Sequence, residues 1–222
     1  MTVPIGLSTA SVYPQNTEAA FQYANELGFD GVELHGANHY LLHQFFSPRA
    51  NRRRDRWGGD RDARMRFPLA VVRAARGAVG PDMVLGYRIT PFEPEPDGYG
   101  LDDALALVDR LAGLGLDYIH VSLDDFRLQR PQREDRNYMV ASAPTGGDGR
   151  SPLAEIRAVI AGRCAVVACG GIGTLADARA AMAAGGDLVA VGRAPLIDPD
   201  WLRKLADGRE ADIALRFPHA PE

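Results

Sequence analysis

Short apolar segments alternate with segments of helical spacing, and this alternation limits the fold more than any other feature of the sequence. The strand pattern is present at residues 4–8, 31–35, 84–90, 118–123, 164–171 and 187–194. Helical spacing or capping residues indicate helices at residues 17–28, 62–78, 101–114, from 151 onward, 175–186 and 199–206. Alternating strands and helices form right-handed βαβ units around a parallel sheet. The sequence therefore predicts an α/β fold, a (β/α) TIM-barrel-like domain of about six units that is incomplete relative to eight strands.

The strand order follows from the connections. Each helix is long enough to cross over to a parallel neighbour and short enough to discourage skipping a strand. We therefore expect six parallel strands in the order 1 to 6. The sequence does not decide whether the sheet closes into a barrel, because six strands need a narrower core or a different shear from eight. An unclosed sheet would expose two edges, which favours a homo-oligomer or aggregation.

The composition is typical of a globular protein. The 222 residues suffice for one domain with a sizeable core, and 46% of them are hydrophobic. A net charge of −4 argues against nucleic acid or an anionic membrane as a partner. The N-terminus lacks a leader pattern, and Cys164 and Cys169 lie in or beside an apolar strand, which favours buried free thiols. We therefore expect a cytoplasmic protein.

Three polar or amphipathic residues follow the second strand. His35 lies at its C-terminal end, and Asn38 and Tyr40 lie just beyond it, where ligand-binding residues collect in parallel α/β proteins. The stretch HGANHY resembles the His-Gly-Ala-(His/Asn)-Gly-Tyr motif of the old yellow enzyme family, the FMN-dependent ene-reductases. The next stretch, SPRANRRRDRWGG, resembles that family's Ser-Pro-x-x-Asn-x-Arg-x-Asp-x-Tyr-Gly-Gly loop. One departure is His39, which stands where the family usually has Gly.

The resemblance implies an enzyme that reduces the C=C bond of α,β-unsaturated carbonyl compounds, small-molecule substrates, with FMN as cofactor and NAD(P)H as reductant. It implies that His35 and Asn38 bind the substrate carbonyl oxygen and polarise the alkene. Tyr40 resembles the family's proton donor, since a neutral phenol can act as a general acid. From spacing alone the alternatives stay open: a strand-end His, a turn Asn, and a Tyr that packs beside Leu41.

Later strand ends carry residues that resemble the family's flavin contacts. Arg88 resembles the Arg at the N1/O2 edge of the flavin, although pairing with a nearby carboxylate, Glu93 or Asp124, is the alternative. Two short glycine motifs follow successive strands and precede helices, which favours phosphate binding by backbone N–H groups and a guanidinium. Their residues are Gly170, Gly171, Gly192 and Arg193.

The first residues differ from the rest. Residues 1–34 resemble the opening unit of sugar-phosphate isomerase/epimerase (xylose-isomerase-like) barrels, whereas residues 35–209 resemble old yellow enzyme units and 210–222 form a polar tail. A chimera of two barrels, natural or engineered, is one hypothesis. Alternative functions are therefore a sugar-phosphate isomerase/epimerase, or an inactive fragment.

No metal site is predicted. The isomerase-like piece stops before the Glu, Asp and His ligands that its family would need, and the sequence has no Cys cluster. The arginine-rich run over residues 51–66 is interleaved with aspartates, which favours a salt-bridged loop over a nucleic-acid patch.

Overall fold

The computed structural model describes residues 6–8, 24, 26–93, 95–126 and 150–214, the first of these ranges as backbone only. The strands are β1 (Gly6–Ser8), β2 (Gly31–Gly36), β3 (Val84–Ile89), β4 (Tyr118–Ser122), β5 (Ala165–Cys169) and β6 (Leu188–Ala190). The helices are α1 (Leu41–Phe46), α2 (Arg61–Val79), α3 (Leu101–Ala112), α4 (Pro152–Ile160), α5 (Leu175–Ala183), α6 (Arg193–Ile197) and α7 (Trp201–Ala206). A 3₁₀ turn follows at Glu210–Asp212.

All six strands are parallel and pair in the order β1-β2-β3-β4-β5-β6. This confirms the α/β class and the predicted order. Among the described residues β6 does not pair with β1, so the strands form an open sheet, which fits an incomplete barrel. The register places His35 opposite Arg88 and Arg88 opposite His120.

The two faces of the sheet differ because successive side chains on a strand point to opposite sides. One face is apolar and packs against the helices, as the buried Leu34 of β2 and Leu69 and Val72 of α2 illustrate. The other face is polar towards the strand ends, and it carries Glu33, His35, Arg88, His120, Ser122 and Cys169. Hydrophobic burial therefore fixes the register, and the register places these polar groups on one face, with His35, Arg88 and His120 in a single row.

Side-chain caps fix the helix starts that the sequence predicts. The Ser151 Oγ accepts a hydrogen bond from the backbone N of Ala154 at 3.4 Å, and Pro152 occupies the first turn of α4. Thr174 and Asp177 form a reciprocal capping box at the start of α5. Both predicted caps are confirmed. Along the described parts of the chain, no helix has both the length and the apolarity needed to cross a membrane.

Some sequence predictions differ from the structure. The short helices α1 and α6 were not predicted, and their five or six residues are too few for a helical pattern to emerge. The last helix begins at Trp201 rather than at residue 199. The helix predicted over residues 17–28 lies mainly outside the described residues, as does most of the polar segment before residue 150.

Candidate active site

The C-terminal ends of β2 to β6 surround a cavity of about 480 Å³. Its size is within the range of ligand pockets. Six residues singled out from the sequence line it: Asn38, Arg88, Gly170, Gly171, Gly192 and Arg193. The other two, His35 and Tyr40, flank Asn38, with their ring centroids 4.6 Å apart. The fold therefore brings together residues up to 155 positions apart, from Asn38 to Arg193.

His35 is held as a neutral imidazole. Its side chain is buried, and burial followed by the positive charge of Arg88 lowers its pKa to about 4. The Nδ1 atom accepts a hydrogen bond from the backbone N of Ala37 at 3.3 Å, which places the ring proton on Nε2. At neutral pH, His35 therefore offers an N–H donor without a positive charge. Tyr40, 42% exposed, lies at the start of α1 with access to solvent.

Asn38 is oriented by two hydroxyl groups from neighbouring strands. Its backbone is left-handed (φ 55°), and its backbone N donates to Thr90 Oγ1 at 3.1 Å. Its Oδ1 lies 3.4 Å from Thr90 Oγ1 and 3.5 Å from Ser122 Oγ, which are long hydrogen bonds. These hydroxyls direct the oxygen of the amide, so the Nδ2 amide is left to donate into the cavity that Asn38 lines. Thr90 and Ser122 were not predicted from the sequence, because small hydroxyl residues at strand ends carry no pattern of their own.

Arg88 projects a partly unsatisfied guanidinium towards the cavity. Its Nη2 donates to Ser122 Oγ at 3.1 Å, but its buried Nε has no hydrogen-bond partner in the described chain. The alternative that Arg88 pairs with Glu93 is wrong, because that carboxylate bonds to His43 and Ser47 instead. Arg88 thus keeps a donor and a positive charge for a ligand.

The glycine turn after β5 is fixed by packing. Gly170 and Gly171 have φ values of 116° and 64°, which side-chain-bearing residues rarely adopt. A Cβ on Gly170 would collide with the carbonyl oxygen of Leu123, and one on Gly171 would lie 2.7 Å from the Asp125 carboxyl carbon. Only glycine therefore allows the segment after β4 to approach this turn.

The second glycine motif, Gly192 and Arg193, is exposed to solvent. A Cβ on Gly192 would meet no atom within 4 Å, and the exposed Arg193 donates from Nη2 to the Asp124 carbonyl oxygen at 3.3 Å. The first turn of α5 is less accessible than the sequence suggests, because Asp177 Oδ2 accepts from the backbone N of Gly173 and of Thr174, each at 3.0 Å. An anion would therefore meet the glycine backbones and Arg193 rather than the N-terminus of α5.

A buried polar row lies below the cavity. His120 Nδ1 is 2.8 Å from Glu33 Oε2, so these two side chains form a pair. Burial lowers the pKa of His120, but Cys169 and Glu33 outweigh it and raise that pKa overall. Burial likewise raises the pKa of Cys169, but His120 and Arg88 hold it below its usual value. Cys169 is thus not an inert core thiol: it is half-buried and lines the cavity.

Known proteins resemble the chain over most of its length. A model of the NADH:flavin oxidoreductase / NADH oxidase family matches residues 11–212. The chain is 41% identical over 194 residues to an NADH:fumarate oxidoreductase of Klebsiella pneumoniae, covering 84% of this chain and 20% of that protein. It is 39% identical over 198 residues to a probable NADH-dependent flavin oxidoreductase of Bacillus subtilis, covering 87% and 50%.

Solved structures share the fold. Morphinone reductase in complex with tetrahydroNAD aligns with a TM-score of 0.64 and 29% identity, covering 90% of this chain and 48% of that one. The old yellow enzyme homologue from Zymomonas mobilis aligns with a TM-score of 0.68 and 23% identity, covering 89% and 51%. The chain thus spans between a fifth and about half of these proteins. Because the family model begins at residue 11, it includes most of residues 1–34, and the comparisons give no support to a chimera.

Proposed function

Because the chain belongs to the NADH:flavin oxidoreductase / NADH oxidase family, we propose that it reduces the C=C bond of α,β-unsaturated carbonyl compounds. FMN is the cofactor and a nicotinamide the reductant that the family and its neighbours support. The observation that carries the proposal is the cavity that joins the Asn38 amide, the Arg88 guanidinium and the two glycine motifs. When bound, the flavin supplies the hydride.

The residues around the cavity fit the chemical groups of FMN. The unmet Nε donor and positive charge of Arg88 suit the electron-rich edge of a flavin ring. The open backbone at Gly192 and the guanidinium of Arg193 suit a phosphate. Gly170 and Gly171 line the same cavity and complete the proposed phosphate site. Arg88 would therefore hold the ring, and the glycine motifs with Arg193 would hold the phosphate.

His35 and Asn38 bind the carbonyl oxygen of the substrate. The neutral His35 donates from Nε2 and Asn38 donates from Nδ2. These hydrogen bonds strengthen as negative charge develops on the oxygen, and they draw electrons from the alkene. Because Thr90 and Ser122 orient the amide in advance, little rearrangement is needed when the substrate binds.

Tyr40 donates the proton that completes the reduction. The phenol lies beside the His35 ring, so its hydroxyl group stands close to the carbonyl-binding donors. It protonates the α-carbon of the substrate while the β-carbon accepts the hydride. General acids of this kind typically contribute about 10²–10⁴ in rate.

Flavin binding and alkene turnover test the proposal in two steps. The full chain is titrated with FMN while flavin fluorescence is followed, and NADH consumption is then measured with and without an enone. Arg88→Ala should weaken FMN binding, whereas Arg73→Ala, an exposed site on α2, should not. If the unmodified chain binds no FMN at high micromolar concentration, the proposed function is wrong for this chain.

A further inference from the structure

Two histidines and a glutamate converge beside the Asn38–Tyr40 loop. His43 Nε2 is 3.1 Å from Glu93 Oε1, and His39 Nδ1 is 3.8 Å from the same oxygen. One ligand atom from each of the three residues lies within 4.8 Å of the others. In tetrahedral zinc sites the metal–ligand bonds are about 2.0–2.2 Å, which separates neighbouring ligand atoms by roughly 3.4 Å. The observed spacings bracket that value, so a zinc ion would fit after small side-chain shifts.

We propose that His39, His43 and Glu93 form a zinc site. Two imidazole nitrogens and one carboxylate are a ligand set that Zn²⁺ favours, and a fourth position remains for water. His39 has an exposed side chain, so the ion can enter from solvent, whereas His43 and Glu93 are fully buried. The site is distinct from the cavity that the proposed function uses.

A shell of hydrogen bonds already orients the two buried ligands. Glu93 Oε2 accepts from Ser47 Oγ at 2.8 Å and from the backbone N of Tyr99 at 3.1 Å, which leaves Oε1 to face the histidines. The Tyr99 hydroxyl donates to the Thr90 carbonyl oxygen at 2.7 Å and lies 3.5 Å from His43 Nδ1. Its oxygen can therefore accept from Nδ1–H, which directs the Nε2 lone pair towards the cluster. Partners of this kind are typical around metal-bound histidines.

The electrostatics suit a cation. The buried Glu93 carboxylate faces both histidines and would offset the positive charge of a cation. Glu95 adds negative charge that acts on His39, and Arg49, which pairs with Glu95 at 2.7 Å, adds positive charge that acts in the opposite sense.

A purely structural His43–Glu93 pair would not explain His39. His39 adopts a left-handed backbone (φ 61°), where a glycine would be free of strain and a histidine is not. A role as a zinc ligand would explain why a histidine occupies this position. Zinc would then join the loop of Asn38 and Tyr40 to the segment that follows β3, and would hold both against α1.

Equilibrium dialysis of the full chain against zinc chloride, after removal of trace metal, tests the site directly. The unmodified protein should bind one zinc per chain, as measured by elemental analysis. His39→Gly removes a ligand at a position whose backbone glycine tolerates, and His43→Gln keeps an N–H donor for Glu93. Each should weaken zinc binding by more than about 100-fold, since the loss of an outer-shell partner alone costs 10–100-fold. The matched control, His120→Gln, should bind zinc like the unmodified protein.

The outcomes separate the alternatives. Thermal melting without zinc checks that each variant folds, and zinc should raise the melting temperature of the unmodified protein but not that of His39→Gly. The proposal fails if the unmodified chain binds no zinc, or if folded His39→Gly binds it equally well. It also fails if only His120→Gln loses the metal, because the site would then be Glu33–His120–Cys169. Since no flavin or substrate is present, these results do not depend on the proposed function.

Discussion

Replacing His35 by Gln should remove a specific pH dependence of stability. The pKa of His35 is about 4 in the folded protein, against an ordinary value of 6.5. Between these values the unfolded chain binds a proton that the folded protein does not, so the free energy of unfolding falls as the pH falls. A shift of 2.5 units corresponds to about 3.4 kcal/mol in total, of which about 2 kcal/mol is lost between about pH 7 and pH 5.

Urea denaturation of both proteins at these two pH values measures the effect. The contributions of other titrating groups cancel when the free energy of unfolding of His35→Gln is compared with that of the unmodified protein. This difference in free energy should shift by about 2 kcal/mol in favour of the variant at the lower pH. His120→Gln provides a control of opposite sign. Because the pKa of His120 is raised, its stabilisation is complete at low pH and is lost as the pH rises through the folded value. If the difference in free energy of unfolding between the two proteins does not depend on pH, His35 is not held as a neutral, buried imidazole.

Three further predictions concern the cavity. Tyr40→Phe should lower alkene turnover by about 10²–10⁴ and leave FMN affinity unchanged in a fluorescence titration, because it removes only the acidic proton; unchanged turnover would exclude Tyr40 as the proton donor. Arg88→Ala should weaken FMN binding by roughly 10- to 100-fold, since a charge-assisted hydrogen bond contributes about 1.5–3 kcal/mol, and an equal loss in Arg73→Ala would point to a nonspecific effect. Iodoacetamide should label Cys169 before Cys164, because burial raises the pKa of Cys164 whereas His120 and Arg88 lower that of Cys169 against burial; peptide mass spectrometry showing the reverse order would contradict the lowered pKa.

The sequence by itself determined the strands, their order and the helix caps. Strand positions were predictable because apolar runs and glycine turns are local signals, and hydrophobic burial enforces them. Ser151 and Thr174 cap their helices as predicted, because capping needs only neighbouring residues. The positions of Asn38 and Arg88 beside the glycine motifs were also predictable, since parallel strands present their C-terminal ends on one side.

Only the tertiary structure decided which polar groups meet. Arg88 bonds to Ser122, 34 residues away, and His43 bonds to Glu93, 50 residues away. No local pattern encodes such pairs, because they depend on the register of neighbouring strands and on how the intervening loops fold back. His39 illustrates the difference: the sequence shows a histidine in place of a glycine, and the structure places it beside two further ligand groups. Apolar burial aligns the strands, and that alignment brings distant polar side chains within bonding distance.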